Sequence, residues 1–160
     1  MAYQLDKFKY HSVHGDEGLV LEFAEAAAQT FVRGDLVILT GGKLVLETSP
    51  AAANVLGFAL QDASGVTDNR IQVQIIRQDD VFIVPFQTDD SFLVAEVGVG
   101  QDFVRNGTSL QWEVNTDSQA AAFAVILGTP EIDGTGNVVP TAGGPVFVKF
   151  LNADTTFGTL

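Results

Sequence analysis

Residues 31–47, FVRGDLVILTGGKLVLE, predict two β-strands folded about a tight turn at Gly41 and Gly42. Paired glycines suit a two-residue hairpin turn because both turn positions require positive φ. With a loop of those two residues, the expected cross-strand pairs are Thr40 with Lys43, Leu39 with Leu44, Ile38 with Val45, and Val37 with Leu46. One face of the hairpin is then wholly apolar, and the other mixes apolar and polar side chains. We therefore expect a cover on both faces, the second being another sheet of this chain or another subunit.

The composition predicts one domain with a substantial core. The chain has 160 residues, 46% of them hydrophobic, and a mean hydropathy of +0.23. No apolar run approaches the roughly 20 residues that a membrane helix needs. The start, MAYQLDK, has charges where an export signal would be apolar, so we expect synthesis in the cytoplasm. The chain has no cysteine, which excludes disulfides, thiol catalysis and sulfur-ligated zinc.

Charge is distributed unevenly along the chain. Residues 1–14 hold two lysines and one aspartate, a net charge of +1, whereas residues 15–160 hold six bases and 19 acids, a net charge of −13. A body this acidic repels nucleic acid and anionic membranes. The partners that we expect are therefore a protein or a small neutral ligand, with no nucleic acid and no membrane.

Further strands are predicted along the rest of the chain, at residues 18–23, 55–60, 71–75, 81–86, 92–97, 110–114, 122–127 and 146–151. Residues 71–75 and 81–86 are expected to pair as a second hairpin across 78–80. Gly57 indicates a bulge or the close approach of another backbone, and Pro85 indicates a sheet edge or a bulge. Short strands at this spacing predict an all-β fold, a small β-barrel or β-sandwich.

The two ends of the chain differ from this body. Residues 1–14 predict an extended arm, residues 15–151 a single β domain, and residues 152–160 a short tail. Aromatic side chains in an arm or tail are typical of docking onto a partner or a neighbouring subunit. The candidate interface residues are Tyr3, Phe8 and Tyr10 in the arm and Phe157 in the tail. The Gly-, Thr- and Pro-rich segment 128–144 is longer than loops in compact domains usually are.

Several short patterns contain residue types that occur in catalytic or metal sites, but none has the residues or spacing that such a site requires. His11 and His14 have no third ligand at a fixed spacing, so no metal is predicted. The doubled aspartates at 79–80 and 89–90 and the segment 133–137 fit turn chemistry better than a calcium loop or a catalytic dyad. No serine has a plausible triad, because both histidines lie in the arm. We predict no catalytic residue and no cofactor, and hence no enzyme.

Two further patterns have a structural interpretation. Arg33-Gly34-Asp35 spells a cell-adhesion tripeptide, but it leads into a strand, so Gly34 is expected to allow a bend and Asp35 to face Thr48. Trp112 alternates with apolar neighbours and is expected in the core, not on a sugar-binding surface.

The hairpin and the strand after it resemble capsid decoration, or cement, proteins of tailed bacteriophages. The residues that carry the resemblance are Arg33-Gly34-Asp35-Leu36-Val37, Thr40-Gly41-Gly42-Lys43-Leu44-Val45, Ala51-Ala52-Ala53 and Val55-Leu56-Gly57-Phe58-Ala59. The resemblance implies a small β-barrel or β-tulip-like domain on the outside of an icosahedral head. It also implies a homo-oligomer, with a trimer favoured over a dimer, that stabilises the head by bridging subunits of the major capsid protein. The chain would then act in the virion after synthesis in the cytoplasm of a bacterial host.

Two alternatives from other classes remain. One is a carbohydrate- or ligand-binding β-sandwich module of a fibre or surface protein, which would need flat aromatic rings on its surface. The other is an enzyme on a β-barrel, which would need converging polar groups that the sequence does not offer.

Overall fold

The computed structural model describes residues 9–11, 18–48, 55–77, 79–87, 97–107, 112–115, 124–129 and 143–151, which form β-strands and contain no helix. The strands are β1 (Lys9–His11), β2 (Val20–Ala24), β3 (Leu36–Thr40), β4 (Lys43–Leu46), β5 (Gly57–Ala59), β6 (Arg70–Ile75), β7 (Val81–Pro85), β8 (Gly100–Arg105), β9 (Trp112–Asn115), β10 (Ala124–Gly128) and β11 (Pro145–Phe150). The fold is all-β, as the sequence predicts.

The strands form two antiparallel sheets. The first has the order β1-β7-β11-β10-β8-β9, with the three-residue β1 at its edge, and the second has the order β2-β6-β5-β3-β4. Each sheet curls until distant strands approach at one parallel bridge, Phe86 with Val114 in the first and Glu25 with Leu44 in the second. One bridge does not close a sheet. The architecture is a β-sandwich. A closed barrel, the other architecture compatible with the sequence, is not formed.

The hairpin that decides the fold has the expected register. Thr40 faces Lys43, Leu39 faces Leu44, Ile38 faces Val45 and Val37 faces Leu46. Gly41 and Gly42 have φ of 58° and 79°, as a two-residue turn requires. The predicted bend is also confirmed, since Gly34 has a φ of 91°.

The second sheet is covered on both faces, as the hairpin predicted. Its inner face encloses a cluster of its own, formed by Phe31, Val37, Leu44, Leu56, Ala59, Ile71, Val73 and Ile75. Its other face contributes Leu36, Phe58 and Ile76 to a second cluster with residues of the first sheet. Phe58, Phe82, Phe103 and Phe150 meet there with ring centroids 5.2–6.5 Å apart. The second cover is therefore another sheet of the same chain.

The expected hairpin of residues 71–75 with 81–86 is wrong. Strand β6 pairs with β2 and β5 in the second sheet, whereas β7 pairs with β1 and β11 in the first. Both edges of β6 are occupied, so the chain must cross to the other sheet before β7 begins. The Asp80 N–H donates to the Arg77 carbonyl, and the Asp80 carboxylate binds the Arg77 side chain, which fixes this crossing.

The other predicted strands that the structure describes are strands, although their first and last residues differ from the prediction. Strand β8 was not predicted. Its residues Gln101, Asp102 and Phe103 are all buried, so the strand lacks the alternation that the prediction used. Pro85 ends β7 opposite Pro145. Strand β1 covers β7 only at residues 81–83, so Pro85 belongs to no described strand ladder on that side, in agreement with the predicted sheet edge. Of the strand predicted at 92–97, residues 92–96 lie outside the described residues, and Val97 lies in a turn.

Candidate interaction surface

The predicted interface residues are placed only in part. Tyr10 lies on β1, where its Cα faces that of Phe82 on β7. Tyr3, Phe8 and Phe157 lie outside the described residues, as do His14 and Asp89-Asp90. The extended conformation expected for the arm is observed at Lys9–His11, which pairs with β7 of the same chain. Docking of the arm onto a partner stays a prediction.

The Asp35 carboxylate joins the two sheets. Its side chain is 0% exposed, and Oδ1 and Oδ2 accept from Nε and Nη2 of Arg105 on β8, both at 2.9 Å. Oδ2 also accepts the Val32 N–H at 2.8 Å. A carboxylate buried in this way is not available to a receptor, so the adhesion tripeptide is a coincidence of sequence. Sequence reasoning missed Arg105, because no local pattern links residues 70 positions apart.

A second buried carboxylate, Glu25, organises the loop at residues 61–69. It accepts hydrogen bonds from the Ser64 N–H at 3.0 Å, the Ser64 hydroxyl at 2.9 Å and the Gly65 N–H. Burial raises the pKa of Glu25, but these bonds and one from the Asn69 side chain outweigh it, so the pKa lies below its ordinary value. The loop is exposed, and the ionised Glu25 side chain beneath it holds its backbone in place. The alanine-rich sequence around Glu25 gave no sign of this role.

The paired aspartates of the crossing between the sheets have separate structural roles. Asp80 is buried against Arg77. Asp79 is exposed and lies 2.7 Å from the Lys149 ammonium on β11, whose hydrogen bond and charge lower the pKa of Asp79. This is turn and ion-pair chemistry, as the sequence suggested, and the two carboxylates do not form a dyad.

Most basic side chains are already neutralised within the chain. All six Lys and Arg residues of segment 15–160 lie in the part of the chain that the structure describes. Lys43, Arg77, Arg105 and Lys149 form ion pairs with Asp68, Asp80, Asp35 and Asp79. Arg33 and Arg70 are exposed and make no ion pair with a described residue. The surface therefore has few free positive charges to offset its acids.

The exposed large apolar side chains of the described residues are all aliphatic: Val20, Val66, Val97, Val99, Leu127 and Leu151. Trp112 is 2% exposed and stacks on Phe103, with ring centroids 5.7 Å apart. The prediction that Trp112 belongs to the core is confirmed. The flat exposed ring that a sugar platform needs is absent from the described surface.

No metal centre or membrane helix is found in the part of the chain that is described. Groups of three or more His, Cys, Asp or Glu side chains able to hold an ion do not occur among these residues. Nor does any helix there have the length and apolar character needed to cross a membrane.

No protein-family model matches this chain, and no curated protein matches it in sequence.

Proposed function

We propose that this chain is a non-enzymatic structural protein of a phage virion, which decorates the outside of the head and stabilises it by bridging subunits of the major capsid protein. The observation that carries the proposal is the contiguity of the residues that resemble cement proteins. Those that the structure describes lie on β3, β4 and β5 or next to them in the chain, and these three strands are neighbours in one sheet. Ala51-Ala52-Ala53 lies outside the described residues.

The glycines and the aspartate of these residues have definite structural roles. Gly41 and Gly42 form the hairpin turn, and Gly34 bends the chain ahead of β3. Asp35 ties this unit to the other sheet through Arg105. At Gly57, an added Cβ would lie 2.1 Å from the Gln74 carbonyl oxygen. Each short sequence match is unspecific by itself, but the matched residues that the structure describes form one structural unit. This supports the resemblance.

The physical character of the chain is compatible with this role. A cement protein needs no catalytic site, and it gains its effect through many weak contacts repeated over a lattice. An acidic exterior discourages adhesion to DNA released from broken heads. The carbohydrate-binding alternative is weaker, because Trp112 is buried and the exposed apolar side chains of the described residues are aliphatic.

The test is to mix the purified protein with phage heads stripped of accessory proteins and to count the bound copies per head. We expect saturable binding, in a multiple set by icosahedral symmetry, and a higher temperature of head disruption. The mass of the free protein in solution gives the oligomeric state, for which we expect a trimer. A monomer that does not bind heads would contradict the proposal.

The contribution of the arm can be measured in the same assay. Because Lys9–His11 pairs with β7, serine substitutions at Tyr3, Phe8 and Tyr10 are preferable to deletion of the arm. We expect these substitutions to lower head occupancy while the unfolding transition of the free protein is unchanged. Phe157→Ser is the matched variant for the tail. Unchanged occupancy in the arm variant would exclude the arm as the principal contact.

A further inference from the structure

The two outer strands of the second sheet are protected to different degrees. Strand β4 is covered, since the Leu44 carbonyl accepts the Ala26 N–H at 3.0 Å and the Leu46 N–H donates to the Gln29 side chain at 3.0 Å. Strand β2 pairs with β6 on one side, and over Val20–Phe23 no other described strand pairs with its opposite edge. An open edge of this kind is a template for another strand.

The register identifies the backbone groups on this edge that face away from β6 and that no described strand pairs. The Leu19 carbonyl accepts the Ile75 N–H, and the Glu25 N–H donates to the Asn69 carbonyl, both on the β6 side. Because backbone groups in an antiparallel ladder alternate in direction, those of Val20, Glu22 and Ala24 are directed away from β6. The Ala26 N–H is next in this series and donates to the Leu44 carbonyl of β4. The parallel bridge between Glu25 and Leu44 also engages the Ala24 carbonyl with the Leu44 N–H. Val20 and Glu22 are left as edge positions that no described strand pairs.

The side chains next to this edge define what would fit. Leu21 and Phe23 pack partly buried against the inner cluster of the second sheet. Val20 is 43% exposed and lies with Glu22 on the opposite face of β2. An added strand would place apolar side chains beside Leu21 and Phe23 and one side chain opposite Glu22.

The charge of Glu22 distinguishes between two candidate occupants of this edge, a second copy of β2 and a basic segment of a partner protein. A second copy of β2, added antiparallel about Glu22, would set one Glu22 opposite the other, and like charges directly opposite are destabilising. Glu22 makes no ion pair with a described residue, its contact being the Gln72 amide at 3.4 Å. A basic side chain opposite Glu22 is therefore favoured.

We propose that the free edge of β2 binds an extended segment of a partner protein in which apolar residues alternate with basic ones. The segment adds as a sixth strand to the second sheet, with a base opposite Glu22 and apolar side chains over Leu21 and Phe23. The assignment of this partner as the capsid subunit rests on the proposed function, whereas the strand-addition site does not.

The experiment uses the full chain and two synthetic peptides, one of alternating valine and lysine and one of alternating valine and glutamate. Amide hydrogen exchange is followed residue by residue. We expect the lysine peptide to slow exchange at Val20 and Glu22, while the amides of Leu21 and Phe23, already bonded to β6, change little. The glutamate peptide should have no such effect.

Three variants test the assignment. Glu22→Lys should weaken binding of the lysine peptide about tenfold and favour the glutamate peptide. Glu22→Pro removes an N–H that the β6 ladder does not use and should abolish binding of the lysine peptide. Glu22→Gln keeps this N–H and removes only the charge, so it should weaken that binding without abolishing it.

Three results would overturn the proposal. These are no protection of the edge amides by either peptide, equal protection by both peptides, and self-association that protects the same amides without any peptide. The experiment needs no phage heads, so its failure and failure of the head-binding assay are separate results.

Discussion

At the scale of single residues, Gly57 on β5 leaves no room for a side chain against β6. A Cβ at this position would lie 2.1 Å from the Gln74 carbonyl oxygen and 2.9 Å from the Gln74 carbonyl carbon. Backbone atoms of a central strand cannot move aside, so Gly57→Ala should lower the free energy of unfolding by about 3 kcal/mol. Gly107→Ala is the matched control, because nothing lies within 4 Å of its Cβ. Denaturant unfolding of both variants tests this, and equal stabilities would contradict it.

Gln101 and Gln74 are both buried glutamines, but their hydrogen bonding differs. Gln101 is 0% exposed, and neither its amide oxygen nor its nitrogen has a partner among the described residues, whereas the Gln74 amide donates to the Leu19 carbonyl at 3.1 Å. An unpaired buried amide is costly, so Gln101→Met should stabilise the fold by about 1–2 kcal/mol. Gln74→Met should destabilise it by about 1 kcal/mol. Thermal unfolding of the two variants is the measurement, and shifts of the same sign would contradict this account.

At the scale of elements, the loop at 61–69 depends on one ionised side chain. The pKa of Glu25 is lowered in the folded state, so its contribution to stability is fully present above the ordinary value of 4.5. The contribution is lost as the pH falls from there through the folded-state pKa. Glu25→Gln should cost about 2 kcal/mol at neutral pH, and this deficit should shrink in acid.

Urea unfolding from neutral pH down to about pH 3 measures this deficit. Hydrogen exchange at Ser64 and Gly65 reports on the loop itself and should accelerate in the variant. Glu22→Gln is the control, because Glu22 is an exposed glutamate on β2, the strand that directly precedes Glu25, and its change should stay within about 0.5 kcal/mol. A deficit that does not vary with pH would show that the Glu25 charge is not what holds the loop.

At the scale of the whole molecule, the Asp35–Arg105 ion pair joins the two sheets. Arg105→Met would leave the Asp35 charge buried without its partner and should cost about 3 kcal/mol, and Asp35→Ala a similar amount. In the double variant the two losses should not add, with a coupling of about 2 kcal/mol. Lys43→Met, at the more exposed pair with Asp68, should cost less than about 1 kcal/mol. Additive losses at Asp35 and Arg105 would contradict a role in joining the sheets.

Prediction from sequence succeeded where structure depends on near neighbours. The pair Gly41-Gly42 identified both the turn and the register of the hairpin, because a two-residue loop leaves one alignment of the strands. Gly57 identified a close backbone approach, and the alternation around Trp112 placed that side chain in the core. In the candidate site, by contrast, sequence reasoning missed Arg105 and Glu25, whose partners are distant in the chain.

Pairing between strands required the tertiary structure. Residues 71–75 and 81–86 have the alternation of two hairpin strands, yet they belong to different sheets because β2 and β5 occupy both edges of β6. By itself, the sequence determined where strands form and which face of the hairpin is apolar, since backbone dihedrals and the two-residue period are set locally. The tertiary structure decided the sheet of each strand, the burial of Asp35 and the free edge of β2. These three features depend on contacts between segments that are distant in the chain, and a local sequence pattern carries no information about such contacts.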